Sequence, residues 1–185
     1  RGSLRIFRNP VAFERAHAAA AKWEAAGLRF RSLSVADLVR LEPALEPIAD
    51  SLSGGIHYET DETGDAYHFC VALQKEAERL GADFHFRTAV DALETRHGRI
   101  TAVVCNAKRF VGDQYIVAAG SFSDLLTRQV NVRLPVRPVK GYSITLERQS
   151  EERSLRFPVV DDDFHAVLTP LDNTLRVAGT AEFCG

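Results

Sequence analysis

Residues 81–105, GADFHFRTAVDALETRHGRITAVVC, decide how this chain folds, because the hydrophobic period changes inside them. Just upstream, Phe69, Leu73, Ala77 and Leu80 recur at helical spacing. The spacing predicts a helix with a buried apolar stripe, capped by Asp65 and ended by Gly81. From Phe84 the period becomes two: Phe84, Phe86, Thr88 and Val90 alternate with His85, Arg87 and Ala89. That is the pattern of a half-buried strand. A hairpin follows, VDALET and RITAVVC around a turn at His97-Gly98.

Downstream, KRFVGDQYIVAAG (108–120) continues as predicted strand, and its apolar end reads as a strand buried on both faces. SFSDLLTRQV (121–130) is a short helix. VRPVKGYSITLE (136–147), HAVLTPL (165–171) and TLRVAGTAEF (174–183) are strands, with LDNT (171–174) as a hairpin turn. Upstream, RGSLRIFR reads as a strand, and Asn9-Pro10 starts a helix carrying Phe13, Ala16, Ala20 and Trp23, with Gly27 past its end. Ser34 and Asp37 open a second helix in which Leu38 and Leu41 face inward and Pro43 is the stop. The expected class is α+β or α/β, with mixed and antiparallel sheets and helices packed on them.

The 185 residues, 45% hydrophobic and 26% charged with net charge −2, describe an ordinary globular chain with no basic surface for nucleic acid or anionic membrane. No apolar run is long enough to span a bilayer. Cys70, Cys105 and Cys184 are too few and too scattered for a disulfide framework or a zinc site and read as free buried thiols. The chain has no Met and begins and ends in strand-like sequence, so an internal fragment is expected.

Three stretches could carry chemistry. In GGIHYETDETGDAYHF (54–69), oxygen-bearing side chains at alternate positions resemble a calcium loop, but an EF-hand begun at Asp61 needs Gly at its sixth position and an acid at its twelfth. Those positions are Ala66 and Ala72, so no metal is expected; Asp65 as a helix cap accounts for part of the motif. Gly54 and Gly55 stay unexplained by it. The strand end at Ala118, Ala119 and Gly120 allows a ligand to approach the backbone closely, or is simple core packing; no G-x-G-x-x-G occurs in the chain. Among the six histidines only His57 and His165 merit attention, and Tyr142 in KGYS is either a packed strand residue or a pocket hydroxyl.

GSLRIFRNPVAFERA, LEPAL, SGGIHYETDETGDAYHF, YIVAAGSFS, LPVRPVKGYSIT and LRVAGTAEF occur in the order found in the FAD-dependent D-amino acid dehydrogenases of the D-amino acid oxidase superfamily. The chain resembles the middle of that family's two-domain flavoproteins over essentially its whole length. The resemblance implies a pyrophosphate-binding segment before this piece and, after it, a segment with further flavin contacts and a substrate-carboxylate arginine. It divides the chain into substrate-domain helices at 1–52, the central part of the FAD domain at 53–122, and substrate-domain strands at 123–185.

The resemblance further implies that Val90 holds adenine through its backbone, that Ala118, Ala119 and Gly120 pass close to the cofactor, and that Val167, Thr169 and Thr180 face the substrate pocket. The catalytic acid-base group is not identified; Tyr142 and His165 are the candidates. The implied activity is oxidative deamination of a D-alanine-like amino acid by hydride transfer to FAD, with electrons passed to a quinone-type acceptor. A glycine- or sarcosine-type amine oxidase is the alternative, as is a scaffold piece that cannot bind FAD alone. The implied location is cytoplasmic, with peripheral association at the inner face of the bacterial plasma membrane.

Overall fold

The computed structural model describes residues 2–147 and 154–183. In order, the elements are β1 (Ser3–Phe7), α1 (Pro10–Ala21), β2 (Phe30–Leu33), α2 (Val35–Leu41), a 3-10 segment (Pro43–Ser51), β3 (Gly54–Tyr58) and α3 (Ala66–Arg79). Then come β4 (Ala92–Arg96), β5 (Arg99–Cys105), β6 (Lys108–Phe110), α4 (Ser123–Thr127), β7 (Lys140–Glu147), β8 (Val159–Asp161), β9 (Ala166–Leu171) and β10 (Thr174–Glu182). Sheets that are mixed and antiparallel, with helices, are the expected class. Within the described residues, 2–71 and 140–182 form one compact unit, and 72–139 with 183 form the other.

The first unit holds a seven-stranded sheet in the order β2-β3-β1-β8-β9-β10-β7. Only β1 and β8 pair in parallel, Leu4 opposite Val159; every other neighbour is antiparallel. The core gathers Leu4 and Ile6 of β1, Leu33, Leu38, Leu45, Leu52 and Val159. Helix α2 is fixed over it by its cap: Ser34 Oγ accepts the Asp37 N–H at 3.2 Å and donates to the Asp37 carboxylate at 2.7 Å. Helix α1 starts as expected, with Asn9 Oδ1 accepting from Val11 and Ala12 and Pro10 in the first turn.

Close packing explains the glycine pair that helix capping leaves unexplained. A Cβ on Gly55 would lie 2.8 Å from the Arg5 carbonyl oxygen and 2.9 Å from Leu38, and one on Gly54 would lie 2.9 Å from the Phe13 ring. At these two positions β3 lies too close to Arg5 of β1 and to Phe13 and Leu38 of the two helices to admit a side chain.

Two connections staple distant segments to this core. Glu42, fully buried, accepts the backbone N–H groups of Ala44, Arg156 and Phe157. Arg8 donates to both carboxylate oxygens of buried Asp161, its own N–H donates to Asp163, and its guanidinium lies 4.4 Å from the Phe164 ring centroid.

The second unit contains the three-stranded meander β4-β5-β6. Its first turn is at His97 and Gly98, both at positive φ (51° and 74°), as a two-residue turn of twist-matching type needs. Helix α3 begins with the His68 N–H donating to Asp65 Oδ1 at 3.0 Å. It ends with Gly81 at φ 96° and Ala82 N–H bonding back to the Ala77 carbonyl.

Several expectations are overturned. The stripe of α3 is not buried: Phe69, Leu73 and Leu80 are exposed, because no described element covers that face. Residues 84–90 and 111–119 are not strands, and Ile116 is 89% exposed. A strand exists only when a neighbour accepts its ladder, and none of the described residues does. Trp23 and Cys70 are exposed, while Cys105 is buried; Cys184 lies outside the described residues. The stop at Pro43 holds, since α2 ends at Leu41, and Pro43 itself opens the 3-10 segment. Residues on both sides of 52/53 share one compact unit, since β3 pairs with both β1 and β2.

Candidate functional site

The strands β7, β10 and β9 carry most of the residues singled out by the sequence. The β9–β10 hairpin closes at Asp172 (φ 45°), which sets Val167 opposite Ala178 and Thr169 opposite Arg176. On the other side of β10, Ala178 lies opposite Ser143 and Arg176 opposite Thr145. Cross-strand partners share a face. Val167, Thr169, Arg176, Ala178, Ser143 and Thr145 therefore occupy one side of the sheet. Tyr142 pairs with Gly179 and faces the other side, with Ile144 and Leu146.

Near the end of β10 the ladder breaks. Gly179 pairs with Tyr142 and Ala181 with Gly141, leaving Thr180 as the extra residue at φ 61°. A hollow of about 830 Å³ wraps this bulged edge. It borders Tyr142, His165, Val167, Arg176 and Thr180, so it meets residues from both faces. Thr169 shares the face of Val167 but does not line the hollow.

The polar groups are arranged unequally. Arg176 Nη2 donates to Ser143 Oγ at 3.3 Å. Among the described residues, no carboxylate lies within ion-pair distance of Arg176. The Tyr142 hydroxyl instead donates to Glu182 at 2.5 Å, with Lys140 Nζ 5.0 Å from the tyrosine ring centroid. His165, at φ 50°, ends the turn that leads from β8 into β9. That turn is held by the Arg8–Asp161 pair, since Asp161 also accepts the Phe164 N–H at 3.2 Å.

Val90, Ala118, Ala119 and Gly120 belong to the second unit. Val90 precedes the Asp91 N–H, which donates to the Val104 carbonyl and starts β4. Ala118 and Gly120 are exposed, Gly120 has φ 55°, and a Cβ built on it meets nothing within 4 Å. A backbone this open leaves room for a ligand to approach the peptide. It supplies no charged group for a pyrophosphate, and the chain holds no glycine-rich phosphate fingerprint. The 61–65 loop borders a separate hollow of about 750 Å³ in the first unit, beside Arg156 and Asp172. Among the described residues no group of acids, histidines or cysteines has a metal-holding arrangement.

Sequence reading passed over Arg176, Ser143 and Thr145. The signal was present: in TLRVAGTAEF, Arg176 has the same parity as Ala178, which stands opposite Val167. Glu42 was quoted only as part of LEPAL; its burial depends on segments more than a hundred residues apart and leaves no local trace.

Comparison with known proteins agrees with this architecture. The chain is 35% identical over 184 residues to a D-amino acid dehydrogenase of Vibrio vulnificus (strain YJ016), covering 100% of this chain and 44% of that protein. It is 37% identical over 184 residues to a D-amino acid dehydrogenase of Sinorhizobium medicae (strain WSM419), with the same coverage. The chain thus spans less than half the length of these relatives. Its fold superimposes on glycine oxidase from Geobacillus kaustophilus with a TM-score of 0.85 at 20% identity, covering 98% of this chain and 48% of that one. It superimposes on L-proline dehydrogenase from P. horikoshii with a TM-score of 0.87 at 14% identity, covering 97% and 49%. The profile of the FAD dependent oxidoreductases, DAO, matches residues 1–185, and the chain belongs to that family.

Proposed function

We propose that the protein carrying this chain oxidatively deaminates D-amino acids of the D-alanine type. The observation that carries this reading is 35–37% identity along the whole chain to D-amino acid dehydrogenases. FAD, when bound, accepts the hydride from the substrate α-carbon and passes electrons on to a quinone-type acceptor.

The roles of this chain's own residues follow its two units. Val90 and the 118–120 backbone contact the cofactor. Val167, Thr169 and Thr180 form the substrate side, and the neutral character of Val167 and Thr169 suits orientation more than proton transfer. The substrate amine must lose a proton before it gives up hydride. His165 and the Tyr142–Glu182 pair are this chain's candidates to receive it, and the pairing of the Tyr142 hydroxyl with a carboxylate supplies an acceptor for that proton. The protein acts in the cytoplasm, with peripheral association at the inner membrane face. No helix among the described residues is long and apolar enough to cross a membrane.

The second reading, an amine oxidase of glycine or sarcosine type, is favoured by the superposition on glycine oxidase. The test is anaerobic addition of D-alanine, L-alanine, glycine and sarcosine to the full-length flavoprotein while its visible spectrum is recorded. Bleaching by D-alanine alone supports the dehydrogenase reading. Bleaching by glycine or sarcosine alone transfers the assignment to the oxidase branch. Retention of an oxidised flavin with all four refutes both, and leaves a scaffold without the chemistry.

A further inference from the structure

Three aspartates in a row tie the turn between β8 and β9 to β1. Asp161 ends β8 and pairs with Ala166, so the turn is 162–165. The Asp161 carboxylate takes Arg8 Nη1 on both oxygens, at 2.6 and 2.5 Å. The Asp162 carboxylate takes Arg5 Nε at 2.9 Å, and its N–H donates to the Ile6 carbonyl at 3.1 Å. Asp163 takes the Arg8 N–H at 2.7 Å. Adjacent carboxylates repel one another, and each is offset here by its own donor. A hairpin turn of this length closes without outside bracing. Nor does the bracing serve the core: the Phe164 ring lies 4.4 Å from the Arg8 guanidinium yet is 70% exposed. What it fixes is a position. The turn ends at His165, whose carbonyl oxygen would lie 3.1 Å from a Cβ on Gly179, the residue just before the Thr180 bulge. Phe164 and His165 both border the hollow around that bulge.

We infer that Arg8 is a positioning residue, which latches the Phe164–His165 turn to β1 through Asp161 and Asp163 and so sets the shape of the hollow at the β10 bulge. Arg8 does not border the hollow itself and acts on it only through the turn. A buried ion pair adds little net stability over an apolar pair of similar volume, but it satisfies its partners in few arrangements and so holds one geometry. The Arg8 guanidinium is shared between the buried Asp161 carboxylate and the Phe164 ring, so a change at Arg8 is felt at the rim. A loosened turn lets Phe164 and His165 shift, which weakens uptake into the hollow before it slows chemistry. The inference rests on the proposed amine oxidation for what the hollow takes up, and the latch itself does not.

The test uses the full-length flavoprotein as Arg8→Met, as the double variant Arg8→Met/Asp161→Asn, and as Arg8→Lys. Arg40→Met, which breaks an exposed pair with Asp37, is the control and should change neither reading. Amide exchange by mass spectrometry follows the peptide 162–168. Steady-state kinetics follow whichever of D-alanine, glycine or sarcosine bleaches the flavin. Exchange in 162–168 is expected to speed up in the single and double variants. KM is expected to rise roughly 10- to 100-fold, the scale of a misplacement by about an ångström, with kcat per bound flavin changed far less. The double variant is decisive. Neutralising Asp161 removes the stranded charge and restores stability, yet leaves the turn unlatched, so KM stays raised. A pair that serves stability alone lowers the folded fraction with KM unchanged and recovers in the double variant. Arg8→Lys keeps the charge without the planar fork and should fall between Arg8→Met and the parent. Unchanged exchange in 162–168, or faster exchange with unchanged KM, overturns the inference. Where none of the three amines bleaches the flavin, the functional reading fails and exchange alone decides: faster exchange upholds the latch, and unchanged exchange overturns it.

Discussion

The fully buried carboxylate of Glu42 accepts the backbone N–H of Phe157 at 3.0 Å and that of Arg156 at 2.6 Å. Glu42 also takes the Ala44 N–H at 3.3 Å, so one side chain satisfies three backbone donors from two segments. Removing it leaves those donors buried without an acceptor. Glu42→Ala is expected to destabilise the first unit by on the order of 2–4 kcal/mol. Glu42→Gln, which keeps one acceptor oxygen, loses less. Urea unfolding followed by circular dichroism ranks the two, and equal loss in both variants refutes the acceptor role.

Gly55 is a packing requirement rather than a hinge. Its virtual Cβ meets the Arg5 carbonyl at 2.8 Å, and backbone cannot step aside as a side chain can. Gly55→Ala should cost roughly 1–3 kcal/mol through overpacking. Gly64→Ala, where a Cβ meets nothing within 4 Å, is the matched control and should lie within about 0.5 kcal/mol of the parent.

Arg8 and Asp161 tie β1 to the turn that carries Phe164 and His165. Arg8→Met strands a buried carboxylate and is expected to cost roughly 2–4 kcal/mol. Adding Asp161→Asn to that variant should recover part of the loss. A double-mutant cycle with a coupling energy near zero would show that the two side chains act separately.

The Asp65 cap predicts a pH dependence. The His68 N–H holds the Asp65 carboxyl below its ordinary value, with the nearby His68 ring and the Tyr67 N–H adding to the shift. A carboxyl lowered in the folded state contributes stability above its unfolded value, about 3.9, and loses it as pH falls through the folded value. Amide exchange at His68 should therefore speed up below about pH 4, and Asp65→Asn should flatten that change. Exchange independent of pH in that window, after correction for intrinsic rates, contradicts the cap.

FAD titrated into the 185-residue chain should show no saturable quenching at micromolar concentrations. Ala118 and Gly120 offer backbone alone, and the chain has no phosphate fingerprint. Tight saturable binding would mean that the adenine and flavin contacts suffice without the pyrophosphate loop.

Local chemistry was legible in the sequence. The Asn9, Ser34 and Asp65 caps, the His97-Gly98 and LDNT turns and the β9 and β10 strands depend on residues a few positions apart, and all stand where the pattern put them. Membership of the flavin-dependent family was legible as well, from six stretches in order. What only the tertiary structure decided is everything that needs a partner from elsewhere. Residues 84–90 and 111–119 have strand-like composition yet form no ladder, because hydrogen bonding between strands is a property of two segments and never of one. The stripe on α3 has helical periodicity yet stays exposed, because burial requires a covering surface. Gly54 and Gly55 acquired a reason only when Arg5, Leu38 and Phe13 closed around them. Strand register alone set Tyr142 and Val167 on opposite faces and brought Arg176 beside Thr169.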